Sequence, residues 1–289
     1  MSKNIGFIGL GNMGYFMAKN LIKNRFNVYG YDVNEETLEK AYKDGVQKSK
    51  SISDVCMGKD LIITMLPDGK SVRSVWLEVL KFIEPNTSII DCSTIDVKTT
   101  VELHQLFNTK NILNLDAPVS GGTIGAENGT LTFIVGGRKE AYEKLSFIFD
   151  FMGKEAIYCG EGGSGQSTKM CNNLLLAITM KGLGDVFKLA DKLNIEKEKL
   201  YDVISISTGS CWAINNYFPA KDVGPNSPAD NDFKPGFAAL LMHKDLSLAM
   251  SAANDKNVDL DLGEIVYKKY AKMLESGKGN LDFSAIVNE

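Results

Sequence analysis

Ile5-Gly-Phe-Ile-Gly-Leu-Gly-Asn-Met-Gly14 is the stretch that decides the fold. Ile5 to Ile8 is an apolar run of strand length. It passes through Gly9, Gly11 and Gly14 into residues 12–23, where Met13, Phe16, Met17, Leu21 and Ile22 recur at the spacing of one helical face. The glycine pattern G-x-G-x-x-G carries little weight alone. Between a strand and a helix it marks a turn that cradles a dinucleotide. Gly9 permits the tight turn, Gly11 lets backbone approach a pyrophosphate, and Gly14 lets helix and strand pack closely. The free N–H groups and positive end of the helix then face the phosphates. Gly9, Leu10, Gly11, Asn12, Met13 and Gly14 are therefore candidate cofactor contacts.

Moving outward, Val28 to Tyr31 reads as a second strand, and Asp32 ends it, 18 residues after Gly14. An acidic residue at this place hydrogen-bonds the adenine ribose 2′-OH and repels a 2′-phosphate. No arginine follows in Val33-Asn-Glu-Glu-Thr37 to offset it, so NAD is the expected cofactor. Asn34 is a plausible N-cap for a helix to Lys43. Strands are expected at 61–65, stopped by Pro67, and at 88–91, 112–117, 131–135 and 156–158, with a helix over 96–107. This alternation predicts βαβ units, a mostly parallel sheet and a dinucleotide-binding Rossmann domain over residues 1–163.

At Gly160-Glu-Gly-Gly-Ser-Gly165 the β-rich runs stop. Residues 167–193 then read as one long helix, apolar on more than one side, as expected of a helix buried between domains or subunits. Further helices are expected over 197–205, 236–254 and 261–276. Residues 164–289 are therefore expected to form an all-α domain for substrate binding and oligomerisation.

Composition narrows the function. Of the 289 residues, 44% are hydrophobic and 24% charged, as in ordinary globular proteins. A net charge of −4 offers no basic field for nucleic acid. No apolar run approaches the ~20 residues of a membrane helix. The five cysteines lack C-x-x-C spacing, and the apolar neighbours of four of them predict buried, reduced thiols. The two histidines, His104 and His243, lie in unrelated surroundings, so no metal site is expected. Met1 to Asn4 leaves no room for a leader before the first strand, which predicts a cytoplasmic protein, or a mitochondrial one if a presequence has been removed.

Ligands of open α/β sheets gather at the carboxyl ends of strands. Ser93-Thr94 and Asp116-Ala-Pro-Val-Ser-Gly-Gly122 lie at such ends. Lys169 falls in the first turns of the long helix, with Asn173 four residues on and so on the same face. Together with Gly6 to Gly14, Ile63-Thr-Met-Leu-Pro67, Gly165-Gln-Ser-Thr-Lys-Met-Cys-Asn-Asn173 and Lys244-Asp-Leu246, these motifs resemble the β-hydroxyacid dehydrogenase family over essentially the whole chain. Ser207-Thr-Gly-Ser-Cys-Trp212 is most like its 3-hydroxyisobutyrate branch.

The resemblance implies a Rossmann domain joined by a long helix to an all-α domain, a small hydroxyacid substrate, and a homodimer or homotetramer. It implies that Lys169 is catalytic and that Asn173 helps it place the substrate. Ser120, Gly121 and Gly122 would form a loop for the substrate carboxylate. Leu66, Pro67, Ser71 and Thr94 would contact the dinucleotide. Lys244, held by Asp245, would serve the nicotinamide end. To accept a proton near neutral pH, Lys169 needs a pKa well below the ordinary ~10.4. The expected reaction is NAD-dependent oxidation of 3-hydroxyisobutyrate, as in valine degradation. The competing readings are reduction of tartronate or succinate semialdehyde, and a nucleotide-binding scaffold without turnover.

Overall fold

In the first strand, β1 (Asn4–Ile8), the side chains of Ile5 and Phe7 pack on one face of the sheet and Ile8 on the other. The same split recurs in β4 (Leu61–Thr64), where Leu61 and Ile63 oppose Ile62, and in β5 (Ser88–Asp91), where Ile90 opposes Ile89. Strands covered on both faces read as continuous apolar runs, which is why these three were visible in the sequence. The structure is a computed structural model, and it describes residues 3–289. The leader expectation rests partly on Met1 and Ser2, which lie outside the described residues.

The chain divides into two compact units, Met1–Lys169 and Met170–Glu289. The first holds β2 (Asn27–Tyr31), β3 (Gln47–Lys48), β6 (Asn114–Asp116), β7 (Val119–Ser120), β8 (Leu131–Gly137) and β9 (Gly153–Gly160) in one sheet with β1, β4 and β5. The order is β3-β2-β1-β4-β5-β6-β8-β7, with β9 also paired to β8. β3 to β6 are parallel, and β8 runs antiparallel to β6 and β7. The sheet is thus mostly parallel, as expected.

The unit's helices are α1 (Gly14–Lys23), α2 (Glu35–Lys43), α3 (Ile52–Cys56), α4 (Gly69–Val79), α5 (Val97–Thr109), α6 (Gly122–Asn128) and α7 (Lys139–Leu145). One face of the sheet is covered by a cluster including Met17, Leu21 and Phe149, the other by one including Val72, Trp76 and Phe107. Each such fully buried side chain contributes roughly 1.5–3 kcal/mol. Asn34 caps α2 as expected, accepting the Thr37 N–H at 3.1 Å. Asp96 caps α5, accepting the Thr99 N–H at 2.7 Å, so that helix starts one residue later than expected. α1 starts at Gly14 instead of residue 12, because Gly9 to Met13 is taken up by the turn.

α8 (Ser164–Lys192) crosses from one unit into the next. It begins three residues before the expected start, because a carboxylate from β6 receives the N–H groups of Gly163 and Gln166. The second unit continues with α9 (Lys197–Ile204), α10 (Trp212–Asn216), α11 (Ala239–Lys256) and α12 (Asp261–Glu275). Ala177, Met180, Leu183 and Phe187 of α8 pack with Met242, Leu246, Tyr270 and Phe283 in its core. α11 was expected from residue 236. The buried Asp282 carboxylate instead accepts the N–H groups of Gly236 and Phe237 at 3.0 and 3.1 Å, and the helix begins at Ala239.

One expectation fails. Only Cys56 and Cys92 are buried, not four thiols: Cys159 is on the sparsely covered β9, and Cys171 is on an exposed side of α8. Within this one chain α8 leaves a stripe open: Leu175, Val186 and Leu189, with Leu193 just past its end, are each at least 40% exposed. No helix among the described residues is long and apolar enough to cross a membrane.

Candidate active site

The glycine turn has the form a dinucleotide requires. Gly9 has φ of +91°, in the region that side chains disfavour. A Cβ on Gly14 would lie 2.0 Å from the Gly9 carbonyl oxygen, so only glycine lets α1 sit this close. Above Gly11 there is nothing within 4 Å of where a Cβ would be, which leaves backbone open to a ligand. α1 has no side-chain N-cap, unlike α2 to α5, so its first N–H groups are not claimed by its own cap residue. Asp32 closes the turn from β2: Oδ2 accepts the Leu10 N–H at 2.7 Å and Oδ1 the Asn34 N–H at 2.8 Å. A carboxylate has about four acceptor positions, so capacity remains for a ribose hydroxyl. These residues fit NAD. Leu10 is 1% exposed, so only its backbone is available to the cofactor.

The ends of β4 and β5 are fastened together. The Thr64 and Ser93 hydroxyls both donate to Asp91 Oδ1 at 2.6 Å, and Ser93 Oγ accepts the Leu66 N–H at 2.8 Å. Leu66 and Thr94 therefore start from a rigid base. Ser71, in the first turn of α4, donates its N–H to the Asp68 cap at 2.8 Å. Burial pushes the Asp91 carboxyl up to about 6, against the pull of the Ser93 and Thr64 hydroxyls.

This shift has a testable sign. An unfolded aspartate titrates near ~3.9. Between that value and about 6 the folded chain keeps a proton that the unfolded chain has lost. The stabilisation is thus complete below the lower value and is lost as pH rises through the upper one. Denaturant midpoints should reveal a fall of up to ~2–3 kcal/mol from this group over that window. Asp91→Asn should flatten it, and an unchanged pH dependence in that variant would refute the assignment.

Asp116, at the end of β6 and 1% exposed, is a hub. Oδ1 accepts the Gly163 N–H and meets His104 Nε2, each at 2.9 Å, and Oδ2 accepts the Gln166 N–H at 3.0 Å. Gln166 reaches back with its side chain, Oε1 to the Ile95 N–H at 3.1 Å and Nε2 to the Ser93 carbonyl at 2.7 Å. These bonds hold the first turn of α8, and Lys169 follows one turn later, 7% exposed. Asp91, His104 and Gln166 were not singled out in the sequence. Gln166 had a signal: with Lys169 and Asn173 it makes a polar stripe at helical spacing at the start of α8.

Ser120, Gly121 and Gly122 were expected to be a loop. Ser120 instead ends β7, paired with Thr132 of β8, and Gly122 opens α6. The backbone turns between them, with φ of +130° at Gly121 and +62° at Gly122.

In the second unit, Asn173 is 2% exposed and donates from Nδ2 to Asp245 Oδ2 at 2.6 Å. Its Oδ1 accepts from Asn172 at 3.0 Å, which fixes the orientation of the amide. Asp245 also pairs with Lys244, Nζ to Oδ1 at 3.4 Å, as the sequence implied. One buried carboxylate therefore holds both Asn173 and Lys244. No three His, Cys, Asp or Glu side chains among the described residues cluster as metal ligands would.

Known proteins resemble the chain along its length. The family model for the NAD binding domain of 6-phosphogluconate dehydrogenase matches residues 4–160. The one described as the NAD-binding of NADP-dependent 3-hydroxyisobutyrate dehydrogenase matches residues 163–289. The mitochondrial 3-hydroxyisobutyrate dehydrogenase of Drosophila melanogaster is 38% identical, over 99% of this chain and 89% of that protein. The NAD-dependent L-serine dehydrogenase of Pseudomonas aeruginosa is 37% identical, over 98% and 96%. The structure of Mycobacterium tuberculosis 3-hydroxyisobutyrate dehydrogenase with L-serine superposes with a TM-score of 0.95 at 40% identity, covering 100% of this chain and 99% of that one.

Proposed function

This chain belongs to the β-hydroxyacid dehydrogenase family, as an NAD-dependent enzyme, and we propose that it oxidises 3-hydroxyisobutyrate to methylmalonate semialdehyde, a step of valine degradation, with Lys169 as the general base. The observation that carries this reading is a buried amine and a buried amide four residues apart on α8, in a chain that matches 3-hydroxyisobutyrate dehydrogenases from end to end.

Ser120 and the N–H groups of Gly121 and Gly122 hold the substrate carboxylate. Lys169 takes the hydroxyl proton as the C–H electron pair leaves the same carbon, and the C–O bond becomes a carbonyl. Bound NAD⁺ supplies the hydride acceptor. In the reverse direction Lys169 returns its proton to the aldehyde oxygen. Asn173, its amide orientation set by Asp245 and Asn172, places the substrate beside that amine. Gly9 to Gly14 hold the pyrophosphate and Asp32 the adenine ribose. Leu66, Pro67, Ser71 and Thr94 line the dinucleotide, and Lys244 serves its nicotinamide end.

L-serine is the second substrate reading, favoured by the L-serine dehydrogenase relative and by the L-serine in the superposed structure. It shares the carboxylate and primary alcohol and carries an ammonium where 3-hydroxyisobutyrate carries a methyl. Initial rates with S-3-hydroxyisobutyrate, L-serine, and tartronate and succinate semialdehydes decide among them. The highest kcat/KM is expected for 3-hydroxyisobutyrate, unchanged by EDTA. An inert 3-hydroxyisobutyrate beside a fast competitor would defeat the reading.

Cofactor choice is tested in the same assay. NAD⁺ is expected to exceed NADP⁺ in kcat/KM, and Asp32→Ala should narrow the gap while raising the KM for NAD⁺, since the Leu10 N–H loses its acceptor. Equal kcat/KM for both cofactors in the unmodified enzyme would contradict it. The exposed stripe of Leu175, Val186, Leu189 and Leu193 supports a homodimer or homotetramer, which light scattering reads directly.

A further inference from the structure

We propose that Gln166 is a positioning residue: its side chain clamps the Ser93-Thr94-Ile95 segment to the turn of α8 that carries Lys169. The inference rests on the reading of Lys169 as the base. Gln166 is 1% exposed, and both ends of its amide are engaged. Oε1 accepts from Ile95 N at 3.1 Å and Nε2 donates to the Ser93 carbonyl at 2.7 Å, so the two bonds bracket Thr94. Only one orientation of the amide satisfies both. The residue's own N–H is held by Asp116 Oδ2 at 3.0 Å, so the clamp is fixed at its root as well.

Stability alone does not account for this arrangement. A buried amide must be hydrogen-bonded to avoid a penalty, and a satisfied one contributes only ~1 kcal/mol per bond, whereas replacing a bonded pair by apolar groups is often neutral. What the amide adds is a fixed separation. Ser93 and Ile95 lie at the carboxyl end of the sheet, where the dinucleotide is held, and Gln166 lies one helical turn before Lys169. Setting the distance between these segments sets the distance between the base and the carbon that loses hydride. Reacting atoms need to be within about 3–3.5 Å of each other, and a displacement of ~1 Å can cost about a hundredfold in rate.

Two variants test the clamp. Gln166→Met fills the space without either bond. In the protein without NAD, amide hydrogen exchange of the 93–96 segment should then quicken. The kcat should fall about tenfold to a hundredfold, with the Kd for NAD⁺ by calorimetry within about threefold. Gln166→Glu supplies the pH readout. Ionised, its second oxygen faces the Ser93 carbonyl and repels it; protonated, it donates as the amide did while still accepting from Ile95. Its kcat relative to the unmodified enzyme at the same pH should therefore be low above neutrality and recover in acid. A purely structural glutamine would lower the unfolding temperature and leave the kcat of the folded enzyme unchanged.

If the methionine variant does not fold, the pH-dependent ratio of the glutamate variant decides. A kcat within twofold of the unmodified enzyme at every pH would overturn the proposal. A silent Lys169→Ala would instead remove the base itself. A slowed Lys169→Ala beside full-rate Gln166 variants would remove only the clamp.

Discussion

Replacing Lys169 by alanine is expected to lower kcat by about 10²–10⁴-fold, the range of a positioned general acid–base group. The protein should stay folded and NAD⁺ should bind as before, because the glycine turn and Asp32 are untouched. Three observations motivate this. Lys169 is buried, at 7% exposed, one turn into α8. It follows by one turn the bonds that tie α8 to the ends of β5 and β6. Asn173 lies on the same face of the helix, its amide fixed at both ends.

Lys169→Arg should fail almost as badly, because a guanidinium stays protonated and cannot take the hydroxyl proton. The measurement is kcat in both directions for the three proteins. An alanine enzyme that keeps more than about a third of its kcat, far above the loss expected of a base, would end the mechanism.

Asp116→Ala is expected to have the largest effect on stability. The substitution strands the N–H groups of Gly163 and Gln166 and leaves His104 without its carboxylate, all in a buried setting. Each stranded donor costs roughly 1–3 kcal/mol, so the loss should be at least ~3 kcal/mol. That corresponds to a fall in unfolding temperature of roughly 10 °C. The surviving folded enzyme should also be slow, because the first turn of α8 loses the anion that receives its N–H groups. Asp116→Asn keeps one acceptor oxygen but points an amide N–H₂ at a donor, and should fall between the two. Differential scanning calorimetry reads the first effect, and kcat at a temperature where both variants are folded reads the second. An unfolding temperature within two degrees of the unmodified protein would show that the hub is not a support.

The sequence made the parallel part of the sheet legible because β1, β4 and β5 are buried on both faces and bounded by turn residues. It did not reveal β3 or β7, which are two residues long and too short for any periodicity. It also passed over α4, although Val72, Trp76 and Val79 recur at helical spacing behind the Asp68 cap. Those apolar positions were hidden among the neighbouring polar ones of a helix that opens on Gly69.

Of the candidate site, the glycine turn, Asp32 and the Lys244–Asp245 pair were legible because they are close in sequence or carried by familiar motifs, whereas the Asn173–Asp245 bond was not. Nor were Asp91, His104 and Gln166. Their partners lie at the ends of other strands, up to 73 residues away, and only the folded sheet brings them together.

α8 runs without a break from Ser164 to Lys192, and the border between the two units falls inside it, after Lys169. A continuous helix keeps count. Adding or deleting one residue between Lys169 and Asn173 would shift the helical phase of the following residues by about 100°. A chimera built from two related enzymes should work only when the crossover preserves the helical phase, with the junction placed before Gly163 or after Asn173.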